Sequence, residues 1–269
     1  MNRTSPHDSV TRRALIAGSA AALACAALPT RGWSEPDDRR IVKSITFLVR
    51  KPGVTHEQFM RYWLDVHAPM ALKIPGMQGM ICNEILRPAR RRTDIAHAPG
   101  EIEIDGYAES WKEASNYPAN PNAPDEAKRW YADGPMFVGL IAGWRVTEHV
   151  FIKPTRGGKG LVSLLTRKPG ASREDFEKHW LGKHGPMARG VPGVAGLILN
   201  SIVRPAERSD IPPLQGLGEV DGIAQSWHAD QSYPGLNSPE SKQWYADGAE
   251  LIGQARGFFT QEHVIIPPR

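Results

Sequence analysis

Arg50-Lys51-Pro52-Gly53 returns as Arg167-Lys168-Pro169-Gly170, a displacement of 117 residues, and at that displacement 21 of the 40 positions from Arg50 to Ala89 are identical. After a one-residue slip, Asp105-Gly106 and Ser110-Trp111 match Asp221-Gly222 and Ser226-Trp227. After two further deletions, Trp130-Tyr131-Ala132-Asp133-Gly134 matches Trp244-Tyr245-Ala246-Asp247-Gly248, and Glu148-His149-Val150 matches Glu262-His263-Val264. A solenoid needs at least three stacked repeats, so two copies point instead to a duplicated domain whose halves cover each other.

Reading the copies together sharpens each. Residues 43–50 and 161–167 are apolar and β-branched and read as strands, each followed by a Pro-Gly turn. Thr55 with Gln58 forms a capping box, Ser172 with Asp175 a weaker one, and a helix follows in each copy. Its apolar stripe in the first copy is Phe59, Trp63, Val66/His67 and Met70, and Pro75-Gly76 and Pro192-Gly193 stop it. Residues 79–87 and 196–204 read as second strands, 106–112 and 222–228 as third. Second helices are expected over roughly 124–139 and 239–253, and last strands over 143–152 and 257–266. The order β-α-β-β-α-β is the split ferredoxin-like unit, so the fold class is α+β. Each such sheet has one face left bare by its helices. The other copy covers it, which predicts two units paired as an intramolecular α+β barrel and a monomer with an internal pseudo-dimer. The expected domains are 41–153 and 161–267, joined by a polar, Gly-rich linker at 154–160.

The chain begins with an address. Arg12-Arg13 stands directly before an apolar run, Ala14 to Leu28, that is too short to span a bilayer. Residues 1–34 therefore read as a twin-arginine signal peptide with a short leader, which places the remainder in the periplasm or outside the cell. Ala22-Leu23-Ala24-Cys25 also offers a minor lipidation reading. The 1–34 segment carries Arg3, Arg12, Arg13 and Arg31 against Asp8, or +3 of the chain's +4, leaving +1 for the rest. That balance gives no ground for a nucleic-acid partner. No second long apolar stretch occurs, so no membrane span is expected beyond the leader. If Cys25 leaves with the leader, Cys82 stands alone and no internal disulfide can form.

His67 and His184 are the candidate catalytic residues. Each lies eight residues after a Phe and four after a Trp, on the sheet-facing stripe near the helix end. An imidazole there can be poised as an acid or base, or can be a structural group bonded to backbone. Trp63 and Trp180 line the same stripe. Tyr131 and Tyr245, on the second helices, could donate to a substrate carbonyl or phenolate, or could be core. Asn83 and Asn200, on the second strands, could be polar groups of a pocket or merely face outward. His149 and His263 alternate with Glu148 and Glu262 on the last strands, so neither His shares a pocket with its neighbouring Glu. The chain has no His-Glu-x-x-His, no Cys-x-x-Cys, no phosphate-binding glycine loop and no Gly-x-Ser-x-Gly elbow, so no metal or nucleotide cofactor is expected.

Arg-Lys-Pro-Gly, then Phe59-x-x-x-Trp63-x-x-x-His67-Ala68-Pro69-Met70 and Pro75-Gly76, resembles the EthD family, and the second copy repeats the resemblance through Phe176, Trp180, His184-Gly185-Pro186-Met187 and Pro192-Gly193. The resemblance implies the dimeric α+β barrel. It also implies relatives that are cofactor-free decarboxylases, dehydratases, cyclases or lactone isomerases acting on aromatic or polyketide-like compounds, with the motif histidine in proton transfer. The family name carries an association with oxidation, and related barrels bind haem. The expected function is thus an exported, cofactor-independent lyase or isomerase for a small hydrophobic or aromatic ligand. The alternatives are a protein that holds such a molecule or haem without converting it, and an oxidoreductase-associated degradation protein. The copies differ around the motif. Lys178, His179 and Lys183 near His184 favour the second copy as the better holder of an anion.

Overall fold

The computed structural model describes residues 40–89, 95–117, 120–206, 208–229 and 238–269. The expected leader lies outside the described residues, as does the cysteine at its possible lipidation site.

Nine strands are described: β1 (Ile41–Arg50), β2 (Met77–Ala89), β3 (Ala96–His97), β4 (Gly106–Glu113), β5 (Val138–Ile152), β6 (Lys159–Arg167), β7 (Val194–Pro205), β8 (Gly222–His228) and β9 (Ile252–Ile266). They pair in the order β2-β4-β1-β5-β7-β8-β6-β9, and β9 returns to β2, closing an eight-stranded barrel within one chain; the two-residue β3 lies parallel on β9. Each copy supplies four neighbouring strands. The seams are β5 on β7 and β2 on β9, both antiparallel, so each copy's long last strand completes its partner's sheet edge.

Strand alternation sorts the side chains. Ile45, Phe47, Ile85, Tyr107, Val146, Val162, Leu164, Ile202, Ile223 and Phe258 pack into a core inside the barrel. The other faces of the same strands meet the helices. Leu48, Met80, Cys82 and Ile141 pack with Phe59, Trp63 and Trp130 in the first copy, and Leu165, Leu197 and Leu199 with Phe176, Trp180 and Trp244 in the second. Among the described residues no helix is long and apolar enough to cross a membrane.

The expected element order holds, with local departures. The last strands begin at Val138 and Ile252, five residues earlier than read, and the second helices end correspondingly at Asp133 and Leu251. The linker is shorter, because Lys159 and Gly160 already belong to β6. Nor is the linker all solvated: Arg156 reaches into the barrel and pairs with Glu109 and Glu262. Val66, read with the apolar stripe, is 45% exposed, while His67 is buried.

The first helices are not uniform α-helices. His56–Tyr62 and Arg173–His179 are α-helical, and Trp63–His67 and Trp180–His184 are π-helical. The Ala68 N–H reaches back five residues to the Trp63 carbonyl, and that of Gly185 to Trp180. Pro69 and Pro186 follow at once. A proline has no N–H to give, and its ring crowds the carbonyl four residues earlier, so the widened turn relieves that strain. Such π-bulges favour functional sites, and each of these carries a motif histidine.

Candidate functional site

In the first copy the motif histidine has a partner from the second helix. His67 Nδ1 lies 2.7 Å from Asp133 Oδ2, and Tyr62 Oη donates to Asp133 Oδ1 at 2.8 Å. As a carboxylate, Asp133 only accepts, so Nδ1 carries the ring proton and Nε2 is the basic nitrogen. The imidazole stacks on Trp130 at 5.3 Å and packs against Phe137 at 4.9 Å. Burial lowers the His67 pKa below its ordinary value; Asp133 opposes this, and the Arg208 charge adds to it. The ring is therefore neutral at neutral pH and held in one tautomer, an arrangement chemically able to accept a proton.

His67 lines a cavity of about 450 Å³ between sheet and helices. That size suits a small organic molecule. Trp63, Trp130, Phe137, Leu48, Met80 and Ile141 give it apolar walls, and Ser44, Ser110, Lys112, Tyr117 and Tyr131 give it a polar end. Lys112 Nζ donates to Ser110 Oγ at 3.0 Å and Ser44 Oγ at 3.3 Å. Burial raises the Tyr131 pKa while Lys112 pulls it back, so its phenol remains a proton donor. The cavity is not built by one copy alone. Arg204, Pro205, Ala206, Arg208 and Ile211 of the second copy form part of its wall. Arg208 Nη2 donates to the Tyr131 carbonyl at 2.5 Å, which ties that wall to the second helix.

The second copy repeats the dyad. His184 Nδ1 lies 3.0 Å from Asp247 Oδ2, and the ring stacks on Trp244 at 5.2 Å. Here Asp247 also holds His179 Nε2 at 3.0 Å and Lys183 Nζ at 2.6 Å. The cavity beside it measures only about 90 Å³ and is largely apolar. The basic neighbourhood expected to favour this copy for an anion does not line the cavity beside His184. Lys178 is exposed, and His179 and Lys183 bond Asp247 near the surface. The larger and more cationic cavity is the first copy's.

Of the residues singled out from sequence, Trp63, His67 and Tyr131 line the first cavity, and Trp180, His184 and Tyr245 the second. Asn83 and Asn200 are in neither, which corrects their reading as pocket groups. Each follows a residue that packs under the helices, Cys82 or Leu199, so alternation turns it into the barrel. There Asn83 Nδ2 lies 3.4 Å from Glu109 Oε1 and Asn200 Nδ2 lies 3.0 Å from Gln225 Oε1, within a buried network around Lys43, Glu109 and Arg156. Glu148 and Glu262 join this network, while His149 and His263 face the other way. Cys82 is fully buried, with its thiol pKa pushed up by burial, as a structural thiol should be. Sequence reading missed Asp133 and Asp247 as partners of the histidines, although both stand in the repeated Trp-Tyr-Ala-Asp-Gly. It also missed Lys112, Arg145, Arg204 and Arg208, whose convergence depends on the barrel closing.

An EthD domain model matches residues 51–140 and again 168–255. The 4-carboxymethyl-4-methylbutenolide mutase of Pseudomonas reinekei is 28% identical over 106 residues, spanning 39% of this chain and 97% of that protein. Among solved structures, a monooxygenase candidate from Fusobacterium nucleatum superposes with TM-score 0.54 at 10% identity, covering 84% of this chain and 92% of that one. An anthrone oxidase-like protein gives TM-score 0.48 at 9% identity over 87% and 96%. At 10% identity the likeness to the Fusobacterium nucleatum structure is one of fold.

Proposed function

Because the chain belongs to the EthD family, through a domain present twice, we propose that it is a small-molecule enzyme of the lyase or isomerase type whose first-copy cavity performs proton transfer without a cofactor. The observation that carries the reading is the His67–Asp133 dyad on the wall of a cavity of about 450 Å³. In this reading Nε2 of His67 removes a proton from carbon beside a carbonyl or lactone. Tyr131, a buried phenol next to Lys112, donates to the oxygen on which charge collects. The imidazolium, steadied by Asp133, returns the proton at the same or a neighbouring carbon, so acid and base are one residue. The mutase relative, which matches over nearly its whole length, supports a rearrangement of a small cyclic compound as the reaction type.

The rival reading is a protein that holds a hydrophobic molecule or haem without converting it. The cavity would serve both, but simple retention of an apolar molecule has no use for a neutral base backed by a carboxylate. We further propose that the mature chain works as a monomer, since its barrel closes internally, and that the twin-arginine leader exports it. The test is to incubate purified, metal-free chain with 4-carboxymethyl-4-methylbutenolide in D₂O and follow ring protons by NMR. Rearrangement or deuterium uptake is expected. A Soret band in the protein as purified would replace this reading with that of a haem protein.

A further inference from the structure

Three cations gather at the polar end of the first cavity. Lys112 is only 2% exposed. Its ammonium donates to two serine hydroxyls and lies over the rings of Tyr117, Trp130 and Tyr131, 4.2, 5.7 and 5.9 Å from their centres. Arg145, on β5, places its guanidinium 3.6 Å from the centre of the same Tyr117 ring. Arg204, on β7, is the direct cross-strand partner of Arg145 and lies at the cavity's more exposed rim. Among the described residues no carboxylate pairs with any of the three.

This arrangement is costly in an empty protein. A buried ammonium forfeits its hydration; burial lowers the Lys112 pKa, but the Tyr131 and Tyr117 hydroxyls beside it overcome this and raise it, so Lys112 stays charged while no carboxylate among the described residues supplies its counter-charge. Like charges directly opposed across two strands repel. Burial and the Arg204 charge both lower the Arg145 pKa. The second copy shows the same positions relieved of this cost. There Arg87 corresponds to Arg204, and its cross-strand partner is Phe259, whose ring lies 4.0 Å from the Arg87 guanidinium. His228 stands in place of Lys112, and Leu161 in place of Ser44. The copy that kept the large cavity is the one that kept the unpaired cations. Trp130 adds a buried indole N–H without a partner on the same cavity.

We propose that Lys112, Arg145 and Arg204 form a carboxylate-binding site, so that the first-copy cavity takes a small carboxylate carried on an apolar ring. The site belongs to both copies, since Arg204 comes from the second. The carboxylate supplies the counter-charge the three cations lack, and the ring lies among Trp63, Trp130 and Phe137 within reach of His67. Naming this substrate class rests on the reading of the cavity as the active site, but binding can be measured without turnover.

Benzoate and its neutral analogue benzamide are the probes, titrated into the full chain by calorimetry. Benzoate should bind once per chain, at least about tenfold more tightly than benzamide, and should weaken with salt. Lys112→Met and Arg145→Phe, the latter installing the second copy's residue, should each weaken benzoate at least about tenfold and leave benzamide unchanged. Lys112→Met should also hold or raise the melting temperature of the ligand-free protein, because it removes an unpaired buried charge. A structural lysine would instead lower it. Absent benzoate binding, equal affinity for the two probes, two equivalent sites per chain, or full affinity in both variants would overturn the proposal. Benzoate binding is read without turnover, so loss of the anion site and failure of the cavity as an active site appear in different measurements.

Discussion

The carboxylate of Asp133 accepts a hydrogen bond from Nδ1–H of His67, with Nδ1 and Oδ2 2.7 Å apart, joining the π-bulged first helix of the first copy to the end of its second helix. This contact fixes the tautomer, and it also sets the basicity of the ring. Burial lowers the His67 pKa and Asp133 raises it. Asp133→Asn should therefore lower the His67 pKa further below the ordinary value of 6.5, as followed by the imidazole Cε1 proton in NMR titration. A pKa that rises or stays fixed would mean that Asp133 does not act on the ring. On a substrate, the same variant should lose about 10²–10⁴-fold in kcat with its KM little changed.

The depressed pKa of His67 makes folding depend on pH with a definite sign. The unfolded chain takes up this proton near pH 6.5, whereas the folded chain resists until lower pH. Between the two values the unfolded state holds more protons, so acid favours unfolding. The stability is complete above about pH 6.5 and is lost as pH falls toward the folded-state pKa. His56 has the opposite sign: burial lowers its pKa, but its bonds to Asp105 and Glu84 overcome burial and raise it. The comparison is therefore between wild type and His67→Asn in urea titrations from pH 7 to pH 5. The variant should lose less stability over that interval. An identical slope would place the acid sensitivity elsewhere.

At Gly106 a strand passes close to the motif tryptophan. A Cβ at Gly106 would sit 2.5 Å from the Trp63 ring, and one at Gly222 2.5 Å from the Trp180 ring. Both rings are almost wholly buried and cannot swing out. Gly106→Ala should destabilise the chain by about 1–3 kcal/mol through overpacking, read as a shift in the urea midpoint at constant m. It should also weaken benzoate binding, since Trp63 walls the first cavity. Gly222→Ala should cost similar stability while leaving benzoate alone, because its ring belongs to the other copy.

The sequence carried the fold more fully than the site. The 117-residue repeat and the Phe-x-x-x-Trp-x-x-x-His spacing were enough to derive a βαββαβ unit closing on its own duplicate, because helix stripes and strand alternation are local properties. The π-bulges were not legible, since periodicity reads Trp63 to His67 as ordinary helix and only the Pro69 beside it hints at strain. Asp133 lies 66 residues from His67, and only tertiary packing brings them together. Asn83 and Asn200 illustrate the converse: repetition marked them, but one step of strand phase put them inside the barrel instead of under the helices. The cationic wall was least accessible of all. Arg145 and Arg204 become neighbours only when β5 pairs with β7, so charge counted along the chain pointed to the second copy, whereas the larger cavity and these two cations lie at the first.

The two dyads are alike in geometry but sit beside cavities of about 450 and 90 Å³. The smaller has room for little more than water. One ligand per chain is therefore expected. Filling the first cavity by Ala108→Leu should abolish benzoate binding, whereas Ala224→Leu at the matching place in the second should not. Calorimetric stoichiometry decides this, and a loss caused equally by both would show two coupled sites.

The most direct test of the account compares proton transfer in two single variants. Wild type, His67→Asn and His184→Asn, each with its fold verified by circular dichroism, are incubated in D₂O with 4-carboxymethyl-4-methylbutenolide and with other ring-bearing carboxylates that have an acidic C–H. Deuterium uptake or rearrangement is followed by NMR. The account predicts activity in wild type, loss of about 10²-fold or more in His67→Asn, and near wild-type rates in His184→Asn. Undiminished activity in His67→Asn, equal losses in both variants, or a wild type inert toward every such carboxylate would contradict it.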